Sequence, residues 1–337
     1  MQKNINKISR YILFSILLIF ASSNKSSSQN LKLSPNPNGP VKVYLSIVIN
    51  NISEVNAAGE FMKADIYIMA KWKDPRLAHD DSGDVIRNFD NIWAPMITIS
   101  NRLSLNKSFS DDLTVSPDGT VTFFQRIFGE FTQNFQFSEF PFDTQKFEII
   151  IIAMGPTAKD VELVQDPEIK SGISNKFALP DWKILDWKYD NSPQSIIEGT
   201  PELPALTFIF QAKRESGFYI LVFVIPLVLI IVMSWMAFWL HSKLSSSQIS
   251  IATTSMLTLI AYRFVVSGSL PKISYMTRMD IFVLGSSILI FITLIQSVFT
   301  ASVSSAGNEV LANKIDKNCR WIFPLLYIIV VLIAFVF

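Results

Sequence analysis

Cysteine is almost missing: Cys319 is the only one in 337 residues, so no intrachain disulfide holds any part of this chain. Histidine is nearly as scarce. His79 and His241 lie far apart, and no His/Cys spacing suits zinc or haem. Net charge is +1, without the basic excess that nucleic acid attracts. The chain also lacks GxSxG, HExxH, a phosphate loop and a dinucleotide fingerprint, which leaves catalysis nothing to stand on and no cofactor to expect. Acids gather only in "HDDSGD" (Asp80, Asp81, Asp84), which lacks the spacing of a calcium loop and reads as a solvated turn, not a metal site.

Apolar length is what the chain has in excess. Half of it is hydrophobic (50%) and mean hydropathy is +0.34, too apolar for an ordinary soluble protein. A helix rising ~1.5 Å per residue needs roughly 20 residues to cross a ~30 Å hydrocarbon core. Four stretches meet that length, predicting helices at about 218–240, 245–267, 279–301 and 319–337 in a transmembrane domain over 216–337. The N-terminus is different. Lys3, Lys7 and Arg10 precede the short apolar run "YILFSILLIF" and then "ASS", the order of a secretory signal over 1–23. A polar linker over 24–40 follows. Export of everything up to the first span puts Lys243, Lys314, Lys317 and Arg320 inside and Lys272 and Arg278 outside, in the sense of the positive-inside rule. The expectation is a multi-pass cell-membrane protein with its N-terminal domain outside the cytoplasm.

Residues 41–215 show short aromatic and β-branched runs such as "VKVYLSIVIN", "TVTFFQRIFGEF" and "PALTFIFQAKR", punctuated by Pro, Gly, Asn or Asp. "SPDGT" is a turn with a mechanism: Pro117 presets φ and Gly119 accepts φ > 0. This pattern predicts an all-β extracellular sandwich, antiparallel and immunoglobulin-like, followed by a four-helix transmembrane bundle.

The second span poses the functional question, because its first half is crowded with hydroxyls. At ~100° per residue, Ser246, Ser250, Thr254, Leu257, Ala261 and Phe264 share an arc of about 80°. The stripe is polar below and apolar above. Two readings compete: hydroxyls as glue between helices of one bundle, or a wall facing water in a pore shared by several copies. In the pore reading, rings of Ser246, Ser250 and Thr254 meet permeating ions, and Leu257 and Phe264 form an apolar gate.

The exported half also carries motifs in a known order. "KWKDPRLA", "IWAP", "VSPDGTV", "FQFSEFPFDTQKF" and Arg214 before the first span resemble the Cys-loop receptors, the pentameric ligand-gated ion channels, and most of all their bacterial members. The likeness runs from about residue 41 to the end. It implies a homopentamer in membrane lipid, a small-molecule or proton agonist, and permeating inorganic ions. It favours the pore over the rival, a membrane-anchored binding or sensor protein. The two positions that name the family are Gln133 and Phe147 here. The resemblance also implies a coupling route through Phe142, Asp143, Arg214, Pro271 and Lys272, with Asp143 paired to Arg214. The family's further acid from the first hairpin finds only Glu54 or Glu60 in "EVNAAGE".

The agonist site stays unassigned. Ser100 stands where an aromatic cage would have tyrosine, "AMGPT" has no tryptophan, and residues 190–206 hold no aromatic; Trp182, Trp187 and Tyr189 lie nearby. Protons acting on carboxylates such as Glu60 or Asp143 fit no worse than an amine. Ion choice is equally open. Lys243 and no acid stand at the inner mouth, and Arg263 points away from the stripe.

Overall fold

A computed structural model describes residues 30–174, 179, 181–267 and 273–336; the signal expected over 1–23 lies outside them. Two β-sheets pack face to face. The larger runs β10 (Gly172–Ile173), β1 (Val41–Asn56), β2 (Phe61–Lys73), β7 (Thr120–Thr132), β6 (Asp112–Val115), β3 (Val85–Asn88), with β5 (Arg102–Lys107) on β7 and β9 (Val161–Gln165) on β1. The smaller runs β11 (Trp182–Asp190), β12 (Ala205–Arg214), β8 (Thr144–Ala153), β4 (Ile97–Ile99). All pairings are antiparallel except those of β9 and β10, which run parallel to β1.

Alternation explains the sandwich. Along β7 the buried residues are Val121, Phe123, Gln125, Ile127, Gly129 and Phe131, every second one, as a half-buried pleat requires. Within the smaller sheet, Phe147 of β8 stacks on its cross-strand partner Phe210 of β12 with centroids 4.8 Å apart, and Trp72 meets Trp93 edge-on at 6.2 Å. Two sequence motifs close on each other here. The Asp74 amide donates to the Gly119 carbonyl at 2.9 Å, and Gly119 takes φ of 80°. A Cβ on Gly119 would lie 2.5 Å from the Asp74 oxygen, so only glycine fits this turn.

Four helices follow: α1 (Gly217–Trp239), α2 (Ser245–Ser267), α3 (Arg278–Ser305) and α4 (Glu309–Phe335), each long and apolar enough to cross a membrane. Thr277 opens α3 with a capping box, its hydroxyl accepting from the Asp280 amide while Asp280 accepts from the Thr277 amide. α3 and α4 approach closely at Gly285, where a Cβ would lie 2.6 Å from a Val330 methyl. The expected start of the fourth helix near 319 is corrected. It begins at Glu309, capped by Asn308, whose side chain accepts from the Leu311 amide at 3.2 Å. Its first turns are charged, so an apolar run does not reveal them.

Candidate gating and pore site

The chain passes from sandwich to bundle at Arg214, the last residue of β12, and its guanidinium is buried there. Nε lies 2.8 Å from Asp143 Oδ1 and Nη2 lies 3.1 Å from Oδ2, a bidentate pair. The arginine carbon sits 4.3 Å from the centroid of the Trp182 ring, and Phe140 and Tyr219 lie nearby at 5.0 and 5.6 Å. The third partner of this centre is Gln145, whose amide donates to Asp143 Oδ2 at 2.5 Å. It is neither Glu54 nor Glu60: the Glu54 carboxylate accepts from Asn56, and Glu60 holds a tight turn at φ 53°. Gln145 also exchanges two hydrogen bonds with the backbone of Gln136, which fixes the loop between β7 and β8.

That loop rests on the helices. The Phe137 amide donates to the Tyr275 hydroxyl at 2.9 Å, and the Arg278 amide donates to the Ser138 carbonyl at 3.0 Å. The Arg278 guanidinium pairs with Glu139 at 3.0 Å. Phe142, partly exposed at the loop tip, meets the Phe335 ring of α4 edge-on at 5.7 Å, and Phe335 touches Phe282 of α3 at 5.1 Å. Phe142, Asp143 and Arg214 therefore share one boundary, while Pro271 and Lys272 lie outside the described residues. Gln145, Glu139 and Phe335 escaped the sequence reading, and Arg278 entered it only as a charge outside the membrane. Only the 3D closure of the loop on the bundle brings them together.

Gln133 occupies one of the two positions that name the family. Its side chain donates to the Glu148 carbonyl at 3.0 Å and accepts from the Glu148 amide at 2.8 Å, clasping the base of the loop. Phe147, at the other position, is core.

On α2, Ser246, Ser250, Thr254, Leu257, Ala261 and Phe264 are all exposed, Leu257 by 62% and Phe264 by 77%. The opposite face, Gln248, Ala252, Ser255, Leu259 and Val266, is buried against the rest of the bundle. Among the described residues no helix covers the hydroxyl stripe, which speaks against its being glue within one bundle. The buried Ser255 instead bonds to the Ile251 carbonyl of its own helix at 2.9 Å.

In the sandwich, Tyr189 is no cage wall. Its hydroxyl lies 2.6 Å from the Ser171 hydroxyl and accepts from the Ile47 amide, and burial pushes its pKa up to about 12. Exposed rings occur elsewhere: Phe124 stacks between Tyr67 at 5.8 Å and Phe109 at 5.6 Å. The Arg126 guanidinium already lies 5.5 Å from the Tyr67 centroid, held by both oxygens of Asp65. A cavity of about 770 Å³ opens between the sheets, walled by Ile68, Phe123, Ile127 and Ile151 with Arg102 and Asp111 in its lining. Three carboxylates are held below their ordinary range: Asp65 by Arg126, Asp190 by Ser192, and Asp118 to about 2 by Lys73 and Thr120.

Comparison with known proteins covers both halves. Residues 25–216 match the neurotransmitter-gated ion-channel ligand binding domain, and residues 223–309 match the neurotransmitter-gated ion-channel transmembrane region. The proton-gated ion channel of Gloeobacter violaceus is 25% identical over 303 residues, covering 88% of this chain and 84% of that protein.

Proposed function

The chain belongs to the neurotransmitter-gated ion-channel family, and on that premise we propose that five copies ring a pore walled by α2, opened by protons acting on the sandwich. One chain offers one such helix, so a pore needs cyclic symmetry. The carrying observation is the exposed stripe on α2, polar in the half far from the sandwich and apolar in the half near it. Rings of Ser246, Ser250 and Thr254 supply hydroxyl oxygens to ions in the cytoplasmic half. Rings of Leu257 and Phe264 close the outer half by excluding water. The stimulus shifts a two-state equilibrium whose movement passes through Arg214, Asp143 and the loop tip at Phe142. Proton gating is carried over from the Gloeobacter relative.

Planar-bilayer recording with pH stepped in both directions and asymmetric NaCl tests this directly. A pH-gated current names the stimulus, and its reversal potential assigns cations or anions. Leu257→Ser is expected to leak without agonist, because a hydroxyl ring wets the constriction. Surface pentamers silent both at every pH and with Leu257→Ser would leave the chain a membrane-anchored sensor.

A further inference from the structure

We propose that one polar stripe of α4 is a clamp that positions the cytoplasmic mouth of the pore; this rests on α2 being the pore wall. Glu309, Asn313, Asp316 and Arg320 recur at i, i+4, i+7 and i+11, within an arc of about 60° at ~100° per residue. Beyond Arg320 the same arc turns apolar, through Tyr327 and Ala334, with Phe323 just beside it.

Each polar residue grips a different point. The Glu309 carboxylate lies 3.3 Å from the Lys243 ammonium in the α1–α2 link. One turn on, Asn313 Oδ1 accepts from the Ser242 amide at 3.2 Å, and its nitrogen lies 3.3 Å from His241 Nε2. Asp316 accepts from Gln248 of α2 at 2.9 Å and from Gln296 of α3 at 2.8 Å, with the Thr300 hydroxyl at 3.3 Å. Arg320 donates to the Phe238 carbonyl of α1 at 2.9 Å, while its own carbonyl accepts from the Trp235 indole at 3.0 Å.

These grips are unequal. The Lys243–Glu309 pair is largely exposed, so water and salt screen it. Asp316 is 1% exposed, and its hydrogen-bond donors Gln248, Gln296 and Thr300 are all neutral. Losing one donor leaves a charge uncompensated in dry surroundings. Gln248 is equally buried and stands between Ser246 and Ser250 on the helix that carries the pore stripe. Any rotation of those two hydroxyl rings therefore drags Gln248 against Asp316. α4 itself is the least covered of the four helices, so the clamp ties the most exposed helix of the chain to the ion path.

The test uses the agonist-independent current of Leu257→Ser. In that channel, with Cys319→Ser, a charged methanethiosulfonate reagent modifies Ser246→Cys from the cytoplasmic side. Asp316→Ala is expected to change the modification rate about tenfold, as loss of a charged hydrogen bond does to an equilibrium. Unitary conductance changes with it. Exchanging the partners, Gln248→Asp with Asp316→Gln, restores both. Asn313→Ala moves the rate the same way by a smaller factor, and it carries the test if Asp316→Ala does not reach the surface. Unchanged rate and conductance in the expressed variant overturn the clamp. A silent Leu257→Ser parent instead sinks the pore assignment, and the clamp falls with it.

Discussion

Asp143 and Asp316 are both 1% exposed, yet they are satisfied in opposite ways. Asp143, at the sandwich boundary, faces a bidentate guanidinium and one amide. Asp316, inside the bundle, faces two amides and a hydroxyl. The boundary centre is an ion pair ringed by aromatics, where removing either partner strands the other. The bundle centre holds slack, because Gln248 Oε1 and Gln296 Oε1 are buried without a hydrogen-bond partner. One centre is matched charge to charge, and the other can rearrange its hydrogen bonds.

Asparagine substitution separates the two. Asp143→Asn leaves Arg214 buried without a counter-charge, and is expected to destabilise the protein by about 3–5 kcal/mol, read from thermal unfolding in detergent. The neutral clasp at Gln133 comes next: Gln133→Ala strands the Glu148 amide, while the Glu148 carbonyl keeps its bond from Asn101, and costs about 1–3 kcal/mol by the same assay. Asp316→Asn keeps an acceptor and gains a donor for an orphaned glutamine oxygen, so it costs below about 1 kcal/mol. Equal losses at Asp143 and Asp316 would erase the distinction. Smallest is the acid dependence of Asp65, whose folded carboxyl is held low by Arg126. Its contribution is whole above the ordinary value near ~3.9 and fades as pH falls through the depressed one. The Tm gap between wild type and Asp65→Asn therefore narrows as the pH is lowered from 7 to about 3, and a constant gap would refute the assignment.

Four apolar lengths, a strand-rich exported half and a striped helix were readable because each depends on local periodicity. The Asp143–Arg214 pairing was reachable only through resemblance, since 71 residues separate the two. Gln145 gave no signal, since a glutamine in an alternating strand looks the same whether it faces solvent or clasps a loop, and Gln133 was marked only as a family position, not as a clasp. The α4 stripe was legible in principle, its spacing being plain once the helix starts at Glu309. An apolar-length criterion discards such a polar first turn.

The clasp at Gln133 has a consequence for how the protein is made. Where sulfur chemistry would close this loop once and for good, a side-chain amide closes it reversibly, with no electron transferred. Secretion needs no oxidising catalyst for this step, and thiol reagents have nothing to cut in the sandwich. The yield of folded protein is expected to be the same with dithiothreitol as without it.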